Sequence, residues 1–449
     1  MTGPRYPSLY QINTRVRLTE LSRALGRPAT LDDIPGAELD CWAELGFDWI
    51  WLLSVWRTGP AGQRVSRSNS DWRREFEETL PDLREEDIAG SGFAITGYTV
   101  HPALGGEAAL ARLRERLRTR GLRLVLDFVP NHTGLDHPWV EAHPEYYIPG
   151  TAEQLEREPQ NYCRVALNGG PRVLAYGRDP YFSGWPDTFQ LDYSNPATQE
   201  AMIGELLKIA GQSDGVRCDM AMLVLPDVFE RTWGRRAPLF WPMATQRVRE
   251  WAPGFCFMAE VYWDLEWTML QQGFDYAYDK RLYDRLREGH ARPVREHLYA
   301  GLDYQDKLAR FLENHDEPRA AAAFPPGMHE AAAVVTFLAP GLRFFHHGQF
   351  DGRVKRISPH LGRGPDEPVN PAVRQFYERL LDVLRRPVVR QGQCYVRLPF
   401  SDLGGVRWRL QDLLGDARYD RDGNDLQSPG LYLDVSPWHC HVFAMTKLS

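Results

Sequence analysis

Eight short runs of almost wholly apolar residues recur along this chain, separated by longer stretches of helical periodicity, and that rhythm restricts the fold more than any other feature. The runs are "SLYQINTRV" (8–16), "FDWIWLLSVW" (47–56), "LRLVLDFV" (122–129), "GVRCDMA" (215–221), "FCFMAEVYW" (255–263), "FDYAYD" (274–279), "LARFLENHD" (308–316) and "LRFFHHGQ" (342–349). Strands with no apolar and polar alternation are covered on both faces, which is the condition of a parallel sheet flanked by helices. Between them lie helical patterns such as "ELDCWAELG" (38–46), "GEAALARLRERLRTRG" (106–121) and "NPAVRQFYERLLDVLRR" (370–386), the first two ending at a glycine. The pattern predicts an α/β TIM (β/α)8 barrel, with a doubly wound open sheet as the alternative that pattern alone leaves open.

Two segments break the rhythm. Residues 135–195 are rich in Trp, Tyr, Phe and Pro without helical period, and read as a loop-borne subdomain after strand 3. Beyond residue 388, "QCYVRLPF", "GVRWRLQDLL" and "LYLDVSPWHCHVFAM" alternate at strand spacing and read as a C-terminal antiparallel β-domain of the β-sandwich kind. The expected organisation is a catalytic barrel over 1–134 and 196–387, an inserted subdomain over 135–195 and a β-domain over 388–449. A chain of 449 residues is long enough for all three.

A formal net charge of −7 argues against nucleic acid or an anionic membrane as partner, since both require concentrated positive potential. No window is apolar enough for a membrane span, and the N-terminal "MTGPRYPSLYQINTRV" has no basic segment followed by an apolar core; a cytoplasmic location is the expectation. Six cysteines show no CxxC or zinc-finger spacing and read as reduced, inert thiols.

In a parallel barrel the loops beyond the C-terminal strand ends form the mouth, so polar residues there are candidates for chemistry. Four runs supply them: Asp127, Asn131 and His132 from "DFVPNH", Arg217 and Asp219 from "GVRCDMA", Glu260 from "FMAEV", and Asn314, His315 and Asp316 from "FLENHD". Each alone has a structural explanation, as a cap, an ion-pair member or a hydrogen-bonded histidine; their coincidence on four strands does not. Arg217 and Asp219 share one strand face, and burying an unpartnered carboxylate is costly, so the arginine is expected to hold the aspartate ionised. Glu260 lies among Phe257, Met258, Val261 and Trp263, apolar neighbours of the kind that favour a protonated carboxyl. Three carboxylates with an arginine and two histidines suit retaining glycoside hydrolysis, where one carboxylate attacks and one carboxylic acid protonates the leaving oxygen. Trp56, Tyr181, Phe182, Trp185 and Trp263 are candidates for stacking on sugar rings, with core packing as the competing role.

Those four motifs in that order, with "QLDYSNP" (190–196), resemble the signature regions of the α-amylase superfamily, glycoside hydrolase family thirteen. The resemblance implies Asp219 as nucleophile, Glu260 as general acid-base and Asp316 as the carboxylate that stabilises the distorted sugar. It implies Arg217 as the nucleophile's partner, His132 and His315 as ligands of sugar hydroxyls, and Asp127 as structural; Asn314 joins them as a substrate-binding candidate. Phe93 stands where the family has a stacking tyrosine, and Ala94 where exo-acting α-glucosidases carry an aspartate. Asn131 matches a calcium ligand, but Met222 and Leu223 replace the usual Lys-His, so calcium is not favoured and no cofactor is required. The function implied is a retaining α-glycosidase acting on α-glucosidic bonds of maltooligosaccharides or glycogen-like glucans. The alternatives are a glucan-transferring, trehalose-forming, sucrose-active or phosphorolytic relative, or an inactive carbohydrate-binding homologue. Whether such a protein is a monomer or a homo-oligomer is not written in these motifs.

Overall fold

All eight runs contribute a strand to one closed parallel barrel. In chain order the strands are β1 (Ser8–Asn13), β2 (Trp49–Leu53), β3 (Arg123–Phe128), β4 (Gly215–Cys218), β5 (Cys256–Ala259), β6 (Tyr276–Tyr278), β7 (Leu308–Arg310) and β8 (Leu342–His346). Their order around the barrel, β1-β8-β7-β6-β5-β4-β3-β2, makes sequence neighbours into spatial neighbours and excludes the open-sheet alternative. The computed structural model describes residues 3–392, 402–436 and 438–448, so the expected strand "QCYVRLPF" and Cys394 lie outside the described residues.

The strands are shorter than the apolar runs that announce them. Residues beyond each strand end leave the ladder and build the mouth, and β4 stops at Cys218, one residue before Asp219. Its first residue must be glycine, because a Cβ on Gly215 would lie 2.9 Å from both Cβ and the carbonyl oxygen of Cys256 on β5. Parallel pairing sets Arg217 opposite Asp127 on β3 and opposite Met258 on β5.

The chain divides into two units, Leu9–Tyr278 with Lys355–Asp366, and Met1–Ser8 with Asp279–Val354 and Glu367–Ser449. In the first, an antiparallel four-stranded sheet follows β3, in the order His132–Gly134, Trp185–Gln190, Arg172–Gly177, Tyr162–Val165. The polar stretch after β2 folds as helices Pro60–Ser68 and Ser70–Thr79, then pairs a short strand, Trp56–Thr58, with Ile95–Val100. Phe76, Leu80 and Ile88 pack with Val16, Ile357 and Leu361 in a buried cluster that fastens residues 355–366 to this unit.

In the second unit the helix Pro371–Leu384 starts where Asn370 accepts the N–H groups of Ala372 and Val373, with a proline in the first turn. It buries Tyr377, Leu380, Leu381 and Leu384 at helical spacing. A three-stranded antiparallel sheet, in the order Arg418–Asp422, Arg407–Asp412, Phe443–Lys447, forms the C-terminal β-structure. Cys41, Cys163, Cys218, Cys256 and Cys440 are free thiols. Among the described residues no helix is long and apolar enough to cross a membrane.

Candidate active site

Arg217 is the hub. Its side chain is fully buried, and it donates from Nη1 to Asp219 Oδ1 at 2.6 Å while Nη2 lies 2.7 Å from Glu260 Oε2. Nε reaches the Tyr278 hydroxyl at 3.3 Å. Three rings, Trp51, Phe93 and Tyr278, lie with centroids 5.4 to 5.8 Å from the guanidinium carbon. A cation so enclosed is tolerable only because two carboxylates face it and the rings present their negative faces. Burial opposes the charge, but Glu260, Tyr278, Asp219 and Asp127 together raise the arginine well above its ordinary value.

Glu260 corrects the sequence reading of an apolar surround. Phe257, Met258 and Val261 are indeed buried, yet the carboxylate itself is ringed by donors. Oε2 accepts the Met220 N–H at 2.7 Å in addition to the arginine, and Oε1 accepts the Tyr262 hydroxyl at 2.7 Å. The Met220 contact depends on a left-handed backbone at that residue, φ 40°, directly after Asp219. Such a conformation costs a non-glycine residue on the order of 1 kcal/mol or more, and here it aims an amide at Glu260. The ladder continues past the strand ends, with Asp219 N donating to Phe128 O at 2.8 Å and Glu260 N to Cys218 O at 3.0 Å, so both side chains have fixed origins.

Asp127, also a substrate-binding candidate, is buried, and its carboxylate is engaged within the fold. It accepts the indole N–H of Trp51 at 3.1 Å and the amide of Ser54 at 3.0 Å, and burial pushes its carboxyl up to about 7 against the pull of Arg217. His132 is buried too, hydrogen-bonded to the Phe93 backbone, with Trp185 edge-on at 5.2 Å; burial pushes it down to about 4, so it is a neutral imidazole near pH 7. Phe93, which also covers the guanidinium, therefore borders this histidine. Trp56 is no sugar platform: it is fully buried and its indole donates to the Asp127 carbonyl at 2.7 Å. Tyr181 and Phe182 are exposed, and Tyr181 meets Trp263 edge-on at 5.0 Å with Arg231 over both rings. Trp263 and Asp264 are consecutive left-handed residues, both at φ 63°, three and four positions after Glu260.

In the second unit, Asp316 is exposed, and His315 Nε2 lies 3.1 Å from its Oδ2. Asn314 is a turn former: its Oδ1 accepts the N–H groups of Asp316 and Glu317 at 2.8 and 2.9 Å, fixing the loop that presents Asp316.

Asn131 does not fit a cation. The Gln190 amide nitrogen donates to Asn131 Oδ1, Asn131 O and Leu191 O at 2.9, 2.9 and 3.1 Å. Two of those partners are main-chain carbonyls, which can only accept, so the amide orientation is settled. The oxygens a metal would gather are already gathered by an N–H2 group, and neighbouring Asp192 is held by Arg235 at 2.8 Å. Met222 and Leu223 are buried apolar residues. Among the described residues no group of three or more His, Cys, Asp or Glu could hold a metal ion.

Sequence reasoning missed Gln190, Tyr262 and Tyr278. Tyr278 ends β6 and Tyr262 has the parity of Glu260, signals of the same kind that found the carboxylates. Gln190 opens the quoted "QLDYSNP", but its hold on Asn131 depends on the non-local pairing of His132 with Gln190.

The family described as "Alpha amylase, catalytic domain" matches residues 33–270, more than half of the chain. Alpha-amylase 3 of Dictyoglomus thermophilum is 23% identical over 290 residues, 58% of this chain and 54% of that protein. The trehalose synthase/amylase TreS of Mycobacterium tuberculosis is 30% identical over 171 residues, 34% of this chain and 26% of that protein. The chain thus spans about half or less of the length of these curated relatives. Among solved structures, an alpha-amylase from Geobacillus thermoleovorans, complexed with acarbose, superposes with a TM-score of 0.66 at 18% identity over 100% of both chains, a likeness of fold.

Proposed function

Because this chain belongs to the family of α-amylase catalytic domains, we propose that it is a retaining α-glycosidase of the cytoplasm, acting on α-glucosidic bonds of maltooligosaccharides or glycogen-like glucans through a covalent glycosyl-Asp219 intermediate. The observation that carries this reading is one guanidinium, Arg217, engaging two carboxylates through neighbouring nitrogens. Two carboxylates on one guanidinium supply the pair that a retaining mechanism uses, one to attack the anomeric carbon and the other to protonate the leaving oxygen. Asp219, facing the arginine, is the ionised nucleophile.

Glu260 is the acid, and its partners say where the proton rides. Oε2 faces Arg217 and the Met220 amide, groups that only donate, whereas the Tyr262 hydroxyl at Oε1 can turn from donor to acceptor. The proton therefore sits on Oε1 and leaves from there. Once the glycosyl-enzyme has formed, Glu260 is ionised and Tyr262 turns to donate to it; when Glu260 then takes a proton from the incoming water or sugar hydroxyl, Tyr262 turns back to accept. Asp316 stabilises the distorted ring and His132 and His315 bind its hydroxyls, roles that rest on the signature motifs. His132, neutral through burial, can offer a ring N–H without adding charge beside the nucleophile.

Transfer to a sugar acceptor is the second reading. It is favoured by the Tyr181 and Trp263 pair with Arg231, an aromatic surface suited to a second sugar. Chromatography of products from maltooligosaccharides, sucrose, trehalose and glycogen, each with and without phosphate, separates the readings. Glucose or maltose alone means hydrolysis, longer or rearranged products mean transfer, and a sugar phosphate means phosphorolysis. No turnover of any of these by wild type, with Asp219→Asn binding maltooligosaccharide no differently, would sink the enzyme reading.

A further inference from the structure

A cavity of about 330 Å³ in the first unit, away from Arg217, is lined by Arg15, Thr58, Gln63, His101 and, at its exposed rim, Glu86. Arg15 is the second residue of the helix Thr14–Leu25. It donates from Nη1 to the Gly90 carbonyl at 2.6 Å and from Nη2 to Thr58 Oγ1 at 3.2 Å. A guanidinium has five N–H donors, so three remain uncommitted. Arg15 is half-buried, and the fully buried arginines are settled differently. Arg217, Arg310 and Arg319 each face a buried carboxylate, and Arg343 gives four hydrogen bonds to the carbonyls of Tyr6, Phe337, Leu384 and Val389. Arg15 has no carboxylate at ion-pair distance among the described residues, and burial alone pushes it down to about 10. Glu86 is turned to Arg84, 3.5 Å away.

The rest of the lining adds donors. Thr58 accepts from Arg15, which leaves its hydroxyl proton free to point elsewhere. His101 Nδ1 accepts the Ala103 amide at 3.2 Å, which places the proton of the neutral ring on Nε2. Burial, then the positive potential of Arg15 and of Arg57, next in sequence to Thr58, hold His101 below its ordinary value.

We propose that this cavity binds a small anion of the phosphate-ester class, with Arg15 as its principal ligand and Thr58 and His101 as supporting donors. A phosphate group only accepts hydrogen bonds and matches a guanidinium fork flanked by a hydroxyl and an imidazole N–H. The volume leaves room for a sugar-sized remainder beside it. The Gly90 carbonyl that Arg15 holds lies three residues before Phe93, so the ligand would sit at the root of the segment covering the Arg217 hub.

The test is thermal unfolding of the full chain in phosphate-free buffer at constant ionic strength. The added probes are inorganic phosphate, glucose 6-phosphate, citrate and, as the ionic control, potassium chloride. A ligand that binds only the folded state raises the midpoint in a saturable way. Both phosphate probes should do so, potassium chloride should not, and Arg15→Gln should lose the shift. Glutamine keeps a donor for the Gly90 carbonyl and removes a charge, so folding is expected to survive; if it does not, Thr58→Val must show a reduced shift. An equal shift in wild type and the variants, or none in wild type up to on the order of 10 mM phosphate, overturns the site. A shift with citrate alone overturns the phosphate-ester assignment. The readout is binding, so loss of glycosidase activity would leave it untouched.

Discussion

Replacing Gln190 by glutamate changes one N–H2 group into an oxygen at the place where three acceptors converge. Gln190 is fully buried, so a charged carboxylate facing Asn131 Oδ1, Asn131 O and Leu191 O is not sustainable, and the substituted side chain must take up a proton. Its hydroxyl then satisfies one oxygen, the Leu191 N–H still serves Asn131 O at 3.0 Å, and one acceptor is left without a donor. At roughly 1 to 2 kcal/mol for the buried unsatisfied acceptor, plus about 1.4 kcal/mol for each of the roughly 2.7 pH units between an ordinary glutamate and pH 7, the loss near pH 7 is about 5 kcal/mol. Calcium should reverse much of it, because an ionised carboxylate with those three oxygens supplies four of the six to eight ligands calcium takes, and water can supply the rest. Urea unfolding followed by tryptophan fluorescence, with EDTA or millimolar calcium chloride, reads all four states. Wild type should be indifferent to both additions, while Gln190→Glu should unfold earlier and recover with calcium. Destabilisation of wild type by EDTA, or an undiminished Gln190→Glu in the absence of calcium, would refute the reasoning.

Four further outcomes follow from the geometry. Arg217→Met strips the cation from two buried carboxylates and should cost about 3 to 5 kcal/mol in urea unfolding, besides abolishing turnover. Glu260→Gln should slow hydrolysis of maltooligosaccharides by on the order of 10²- to 10⁴-fold, and far less for an aryl glycoside whose leaving group needs no proton. Tyr262→Phe should lower kcat by roughly tenfold with little change in KM, since it disturbs proton delivery and not binding. Stability should fall as the pH drops from about 6.5 toward 4. His132, His137 and His329 are each pushed down to about 4 by burial, so the unfolded chain binds protons in that window and the folded chain does not. Asp127 and Asp187, pushed up to about 7 and about 6, work in the opposite direction but are fewer; a urea midpoint that rises on acidification across this window would contradict the assignment.

How much was legible beforehand depended on how local each interaction is. The barrel strands could be read because each announces itself in a handful of consecutive apolar residues, and "NPAVRQFYERLLDVLRR" carried its own cap and stripe. Helices Pro196–Gln212, Trp241–Trp251, Lys280–Glu288 and Met328–Leu338 went unread, hidden between stronger strand signals. The partnership of Arg217 with Asp219 was local and foreseeable, two residues apart on one face. The surroundings of Glu260 were not: apolar neighbours in sequence point elsewhere, and the groups that hold its carboxylate include Arg217 and the Met220 amide from the adjacent strand end. At Asn314 the motif did not announce the turn, in which the side-chain oxygen accepts two amides of its own loop.

The shared guanidinium also governs how this site can change over generations. Asp219 and Glu260 both lean on Arg217, so the effects of substitution at the three positions cannot add. Losing the arginine is worst while both carboxylates remain and milder once one is neutral, and neutralising a carboxylate is worse while the buried cation remains. Every single step away from the trio is steeply downhill, while paired steps are shallower. Such ruggedness keeps lineages from drifting out of the chemistry. The loop aromatics Tyr181 and Trp263, outside that network, are free to vary one at a time. Variation in this protein's relatives should accordingly accumulate at the loop aromatics and leave the trio untouched.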